Sequence, residues 1–452
     1  MIKPTALTGA VLLVVTATIL AGSCAQSSSD SDDGDGDYLE LSPRASSSPA
    51  PFCGIVLWQM NPKIETLKAS VSLEFSYFYY SDVASDDPAG GYQYNWAVVD
   101  AFLASAASRG HHGIVRFRDT DPELGTVERS LPDSLWTGTR EADYDEGIDG
   151  EPVKRVVFPD WSNPALPAFI VSFYEALAAR YPDQSTGLGY IEVGFGLWGE
   201  YHIDWDNLGN FSSTDCDTPE EALGRLFPAK ADQRTMLTGI GDALTTIPWG
   251  ISIDAADTDF GPYDADELPA GSPAFGLFDD SLLHEEWEET NYGNWEYFYS
   301  AYPARMNGGE FSYYTDYDQE HALDANGPNG VSLAEAARDC CISFVIGDGQ
   351  SEYVTADALA AAGRQLGYAL AIEDATILEG TVTITVRNSG CAVIPYHLYA
   401  AFGTVQSTQS LKGLLPDDSR DLTLTITDPD PDTFHFTSPV LLSGQVVAYT
   451  VE

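Results

Sequence analysis

From Phe52 onward, short apolar runs alternate with longer amphipathic ones. A short apolar run bounded by turn residues reads as a buried strand, and apolar positions three and four apart read as helix. On this pattern strands are expected at Gly54–Trp58, Ser72–Tyr79, Gly113–Phe117, Gly189–Leu197, Trp249–Asp254, Phe275–Asp279, Gly308–Tyr313 and Cys341–Ile346. Helices are expected at Trp96–Ser108, Leu166–Tyr181, within Pro219–Leu244, and at Trp287–Tyr302, Leu333–Asp339 and Ala356–Leu366. The first of these carries Val98, Val99, Phe102 and Leu103 on one helical face. Eight strands, with helices alternating among them, predict an α/β fold, a (β/α)8 TIM barrel over residues 52–366. Residues 119–160 form a long insertion on the face where the strands end.

After Gly367 the period changes to two. Thr381-Val382-Thr383-Ile384-Thr385-Val386 and Leu422-Thr423-Leu424-Thr425-Ile426-Thr427 alternate cleanly, with Asn388-Ser389-Gly390 as a turn and Val446–Val451 as a last strand. Alternation with turns between predicts a small antiparallel β-sandwich over residues 367–452.

The N-terminus follows neither pattern. Lys3, the apolar run Ala6–Ala21 and then Gly22-Ser23-Cys24 have the order of an export signal over residues 1–23. The run is short for a membrane-spanning helix. Leu20-Ala21-Gly22-Ser23-Cys24 is similar to a bacterial lipobox, with leucine one place further back than usual, so Cys24 is the expected lipidation site. Residues 24–51 are rich in Ser, Asp, Gly and Pro and are expected to be a disordered tether. An exported, lipid-anchored protein of the cell envelope or cell surface follows, touching the membrane only through its anchor.

Charge narrows the partners. There are 69 acidic and 21 basic residues, a net charge of −48. Loss of the signal removes only Lys3 and leaves −49. Such a field repels nucleic acid and anionic membranes. It also disfavours strongly anionic polysaccharides. Six cysteines include no CxxC pair, so no metal site is expected from them, while export permits one or two disulfides. No GxSxG elbow, HExxH helix, Walker loop or dinucleotide fingerprint occurs in a fitting context, and no cofactor is implied.

Two segments carry the candidate chemistry: Trp198-Gly199-Glu200 and Gly309-Glu310-Phe311-Ser312. Each places a glutamate where a hydrophobic strand runs out, the fourth and the seventh. Catalytic groups of barrels sit at such strand ends. Two facing carboxylates are the minimal equipment for cleaving a glycosidic bond. Glu200 is the candidate general acid, with Trp198 and Tyr201 as an apolar wall to raise its pKa, and Glu310 the candidate nucleophile. Arg116, on the third strand, could meet substrate or a catalytic carboxylate. Asp254, ending strand five, and Asp279-Asp280, ending strand six, could bind sugar hydroxyls or cap the next helix, with Asp279 as the strand-six candidate. His202 is a candidate substrate contact. Glu192 should lie deep in the barrel in a buried ion pair. Trp161, Tyr313 and the other aromatic residues near the strand ends suit the apolar faces of sugars.

The runs Pro159-Asp160-Trp161-Ser162-Asn163-Pro164 and Tyr190-Ile191-Glu192-Val193-Gly194-Phe195-Gly196-Leu197-Trp198-Gly199-Glu200-Tyr201-His202 resemble the exported bacterial family known as domain of unknown function 4832. Leu366-Gly367-Tyr368, with Asn388-Ser389-Gly390, resembles its C-terminal part. That family is glycosidase-like but implies no settled activity. A broader resemblance is to clan A glycoside hydrolases. It implies a retaining enzyme with the acid/base Glu200 after strand four and the nucleophile Glu310 on strand seven. The clan's Asn before the acid/base is here Gly199. The expectation is therefore a retaining glycoside hydrolase acting on a carbohydrate substrate, or, as the alternative, a non-catalytic carbohydrate-binding lipoprotein.

Overall fold

The computed structural model describes residues 37–122, 129–145, 152–203, 205–209, 216, 218–256, 259–264, 274–284, 291–298 and 302–452. The export signal, Cys24, the first part of the tether and Trp287 lie outside the described residues.

Eight parallel strands close into a barrel in chain order. They are β1 (Gly54–Trp58), β2 (Leu73–Tyr79), β3 (His112–Arg118), β4 (Leu188–Val193), β5 (Trp249–Ser252), β6 (Gly276–Leu282), β7 (Asn307–Phe311) and β8 (Ile342–Ile346). Strands covered on both faces read as near-continuous apolar runs, and β8 is buried at every position. Helices pack outside. The longest are α1 (Ala97–Ser108), α2 (Ala165–Arg180) and α3 (Lys230–Ala243). Large rings fill the bore where the facing strand has no side chain. A Cβ on Gly308 of β7 would stand 2.1 Å from the Phe344 ring of β8, which itself packs edge-on against Tyr190 of β4 at 4.9 Å. The TIM barrel read from the sequence is therefore the fold of the protein.

Several boundaries differ from expectation. β4 stops at Val193, and residues 194–202 form a loop that turns back on itself. β6 runs on to Leu282, three residues past the expected end. The described helix before β7 is α4 (Asn291–Tyr297). The 119–160 insertion holds a hairpin, Arg140–Tyr144 with Lys154–Phe158, to which Leu208–Gly209 adds a third strand. Helices α5 (Asp316–His321) and α7 (Gln350–Tyr353) follow β7 and β8, with α6 (Leu333–Asp339) between them; α8 (Ala356–Gly363) closes the barrel.

The C-terminal part stacks two sheets. One contains β9 (Leu370–Leu378), β10 (Thr381–Asn388) and β13 (Ser419–Thr425); the other contains β11 (Tyr399–Phe402), β12 (Val405–Gln406) and β14 (Phe434–Thr437). Val382, Ile384 and Val386 face inward and share a core with Phe402, Phe434 and Phe436. The last strand, β15 (Thr450–Val451), joins β9 in parallel, so the sandwich is mixed rather than purely antiparallel. It sits at the N-terminal end of the barrel. Phe52, just before β1, lies between His112 at the start of β3 and Tyr396, with ring centroids 3.9 and 4.7 Å away. Gln445 Nε2 donates to the Gly110 carbonyl at 3.0 Å. The opposite end of the barrel, where the strands finish, is left for chemistry.

The tether expectation needs correction at its C-terminal half. Asp37–Tyr38 pairs antiparallel with β9, Leu41 is buried in the sandwich core, and Arg44 bridges to Tyr449. Leu39 and Leu41 supply apolar groups that the Ser- and Asp-rich composition around them conceals. The five described cysteines, Cys53, Cys216, Cys340, Cys341 and Cys391, are free thiols rather than disulfides.

Candidate active site

Alternation along each strand decides which side chains enter the bore. Arg116 of β3 does so, and it is fully buried. Its Nε donates to Glu192 Oε2 at 2.8 Å, and Nη2 lies 2.6 Å from the same oxygen. Nη1 pairs with Glu200 Oε1 and donates to the Tyr77 hydroxyl at 3.1 Å. Glu310 Oε2 lies 4.0 Å from Nη2. One guanidinium thus holds a carboxylate below it and touches two at the mouth. A planar fork of five donors suits this task, which a lysine ammonium would not fill. The rings of Phe278, Tyr77 and Phe75 surround the guanidinium, with centroids 4.6, 5.2 and 5.5 Å from Cζ.

Because Glu200 and Glu310 flank the same guanidinium, their nearest oxygens can be no more than roughly 9 Å apart. Burial differs down the axis. Glu192 is sealed, whereas the Glu310 and Glu200 side chains keep 6% and 12% of their surface in solvent.

Glu200 reaches this point from a folded-back loop rather than from the strand end. The Gly196 N–H donates to Asp119 at 3.1 Å and Tyr201 N–H donates to the Phe195 carbonyl at 3.1 Å. A Cβ on Gly194 would stand 1.8 Å from the Gly199 carbonyl oxygen, so only glycine lets the loop close. Trp198, Gly199 and Tyr201 all have positive φ, at 52°, 71° and 71°. Positive φ at two large residues costs on the order of 1–3 kcal/mol each, strain that surrounding structure must sustain and that gathers at functional sites. At Gly199 a Cβ would lie 3.3 Å from the Phe117 carbonyl oxygen, leaving little room for the asparagine of clan A enzymes.

A second group of charges lies beside the pair. His202 Nδ1 is 2.8 Å from Asp254 Oδ2 and 3.9 Å from Asp280 Oδ2. Burial alone would pull the imidazole down, but its hydrogen bond to Asp254 and the charges of Asp254, Asp280 and Glu200 push it up to about 10. Asp280 is pushed well up, first by burial and then by Asp254 and Glu200. Glu200, His202 and Asp280 each bring a donor atom within 4.8 Å of the other two, and they are the described side chains that could hold a divalent cation. An imidazolium at His202 already neutralises that corner.

Burial likewise pushes Glu310 well up, against the pull of Arg116. Its carboxylate also accepts a hydrogen bond from Tyr313, whose ring is half exposed at the mouth. Burial thus biases the Glu310 carboxyl toward its protonated form.

Other candidates divide by burial. Trp198 is partly exposed, edge-on to Tyr144 at 5.7 Å and to His202 at 5.8 Å, and belongs to the site wall. Arg116 is fully buried, and its polar contacts are to carboxylates and the Tyr77 hydroxyl. Trp161 is 2% exposed and packs edge-on against Phe195, so it is core rather than a sugar platform. Tyr201 is also buried, its hydroxyl donating to Gln233 at 3.0 Å. Asp279 points out of the bore, where it accepts from Asn291 at 2.8 Å, Trp295 at 3.1 Å and the Ser281 N–H at 2.9 Å. Burial pushes its carboxyl up to about 7. It is a structural anchor, and its neighbour Asp280 faces the site instead. Tyr77, which donates to Glu200 at 3.3 Å, was missed by the sequence reading; its place two residues after Phe75 on the inward face of β2 was the available signal.

These elements define a (β/α)8 barrel with several carboxylates gathered at the C-terminal ends of its strands. No family model matches the sequence, and no curated protein does. Among solved structures, the catalytic domain of β-amylase from Paenibacillus polymyxa is similar at 10% identity and a TM-score of 0.39, over 70% of this chain and 99% of that one. A glycoside hydrolase family 5 lichenase from Caldicellulosiruptor sp. F32, in complex with cellotetraose, is similar at 11% identity and 0.37, over 73% and 99%. A family 20 exo-β-N-acetylglucosaminidase from Vibrio harveyi is similar at 12% and 0.34, over 69% of this chain and 54% of that one. Likeness this distant leaves the chemistry to be argued from this chain's own residues.

Proposed function

We propose that the protein is an exported, lipid-anchored glycoside hydrolase that cleaves a neutral or weakly charged polysaccharide with the carboxyl pair Glu200 and Glu310. The observation that carries this reading is the single guanidinium of Arg116 flanked by both glutamates at the mouth of the barrel. Cleavage needs one carboxyl that gives a proton to the leaving oxygen and one carboxylate that meets the anomeric carbon or a water. Glu310, pushed up by burial, is suited to hold that proton at neutral pH. Glu200, beside Arg116 and the Tyr77 hydroxyl, is then the carboxyl placed to meet the anomeric carbon. The resemblance to clan A enzymes supports retention of configuration through a covalent intermediate. It implies Glu310 as the nucleophile; we depart from it and give that role to Glu200, because burial pushes Glu310 up. Proton NMR of the first-formed sugar anomer tests this step: product of the substrate's own configuration is expected, and the opposite anomer would mean that Glu200 activates water instead.

A second reading keeps the carbohydrate and drops the chemistry. Gly199, where clan A enzymes carry asparagine, favours it, because the backbone leaves little space there to bind the sugar 2-hydroxyl. Glycan binding without release of reducing ends by the wild type would establish that reading.

A further inference from the structure

Aromatic exposure in this chain is concentrated in one place. Among the described residues five aromatic side chains are exposed, all tyrosines, and four of them are Tyr313, Tyr314, Tyr317 and Tyr353. The first three fall within six residues after the Glu310 strand, on the loop and first turn of α5, and Tyr353 ends α7 after β8. All four therefore stand on the C-terminal face beside the carboxyl pair. The two helices are fastened together, Gln350 Nε2 donating to the Gln319 carbonyl at 3.0 Å. The loop beneath is fixed too. Asp318 Oδ2 accepts from the Ser312 hydroxyl at 2.9 Å and lies 2.9 Å from His284 Nδ1. Two of the rings are backed by imidazoles: Tyr314 by His284 at 4.6 Å and Tyr317 by His321 at 4.3 Å. About half of each side chain remains in solvent.

We infer that Tyr314, Tyr317 and Tyr353 form a platform that docks several sugar units of a neutral polysaccharide beyond the cleavage point, so that the enzyme acts within chains. The inference rests on the glycosidase reading for its orientation, because Tyr313 joins the platform to Glu310. A flat ring that keeps about half of its side chain in solvent can remove the apolar face of a pyranose from water while its hydroxyl stays wet. Tyrosine does this with little side-chain freedom to lose. Charge selects the partner. Residues 306–337 and 347–363 contain nine acidic residues and no Lys or Arg, and Lys63, paired with Glu352 at 2.8 Å, leaves the balance beside the rings strongly acidic. Like-charge repulsion there disfavours anionic polysaccharides and anionic membranes.

The test is affinity electrophoresis of the Glu310→Gln chain in gels containing mixed-linkage β-glucan, xylan, glucomannan or, as the polyanion, polygalacturonate. Titration calorimetry with the disaccharide and hexasaccharide of whichever glycan retards the protein completes it. At least one neutral glycan should retard the chain, and polygalacturonate should not. The hexasaccharide should bind more tightly than the disaccharide. Combining Tyr314→Ala, Tyr317→Ala and Tyr353→Ala should weaken polymer and hexasaccharide binding at least about tenfold and leave the disaccharide unchanged. Tyr317→Trp, tested in parallel, should preserve binding, which separates loss of a ring from loss of fold. The inference is overturned if no neutral glycan retards the chain, or if the triple variant binds as its parent does. It is also overturned if sedimentation shows that the rings instead join two copies of the chain. Polymer binding without cleavage by the wild type would remove the proposed function and leave the platform. Cleavage of a short chromogenic glycoside without polymer binding would do the opposite.

Discussion

Replacing Arg116 with methionine gives the most quantitative test of how the site is held together. The substitution roughly preserves volume and deletes the charge that Glu192, Glu200 and Glu310 share. Glu192 decides the outcome, because it is fully buried and its second oxygen already lacks a hydrogen-bond partner. Burial pushes its carboxyl up and Arg116 pulls it back down. Without Arg116 only the upward push remains, and Glu192 must take a proton to stay folded. Holding a proton costs about 1.4 kcal/mol for each pH unit above the ordinary glutamate value near 4.3. That amounts to about 3.7 kcal/mol at pH 7 and about 1 kcal/mol at pH 5. The larger figure falls within the roughly 3–5 kcal/mol lost when a buried pair is broken from one side. The sign follows from a folded-state pKa above the unfolded one: the deficit is absent below the ordinary value and grows as pH rises toward the folded value. Urea unfolding of wild type, Arg116→Met and Arg116→Met/Glu192→Gln at pH 5 and pH 7 measures it. The double variant, with no buried charge left at that level, should recover much of the loss at pH 7 and show little pH dependence. Equal losses for Arg116→Met at both pH values, or a double variant as unstable as the single one at pH 7, would refute the reasoning.

Three further outcomes follow from the same geometry. Asp279→Ala should cost on the order of 2–3 kcal/mol, because it strands the Trp295 and Asn291 donors, yet leave turnover per folded molecule unchanged; lost turnover at full folding would return Asp279 to the site. Activity should fall as pH rises through the Glu310 pKa, with that alkaline limb above the ordinary carboxylate range, since the proton donor must be charged with its proton; a limb at the ordinary value would move the proton elsewhere. EDTA should leave hydrolysis unchanged, because His202, raised to about 10, supplies the positive charge between Asp254 and Asp280; loss on chelation reversed by a divalent cation would contradict this.

Much of this arrangement is legible in the sequence. The βα alternation places all eight strands in their observed order, and strand ends point to Glu200 and Glu310. Glu192 was expected in a buried pair and lies in one with Arg116. What failed depends on information that strand positions alone do not carry. Asp279 and Asp280 differ by one residue, and only the phase of β6 decides which enters the bore; Phe278, stacked on Arg116, fixes that phase in favour of Asp280. Trp161 and Tyr201 look like sugar-binding aromatics because composition does not distinguish a ring packed in the core from one at the mouth. The pattern predicts strand through Gly194–Leu197, since Phe195 and Leu197 continue the apolar run, while the folding back that begins there relies on glycines and positive φ. The upward push on the Glu310 carboxyl is not legible either, because it comes first from burial, which strand positions alone do not give.

The most direct test of the central claim is the release of reducing ends from neutral glycans by wild type, Glu200→Gln and Glu310→Gln under one set of conditions. The account predicts that the wild type cleaves at least one of them and that each substitution lowers its rate by roughly 10²–10⁴-fold while the fold persists. Hydrolysis that survives in either variant, or a wild type inert toward every neutral glycan it binds, would contradict it.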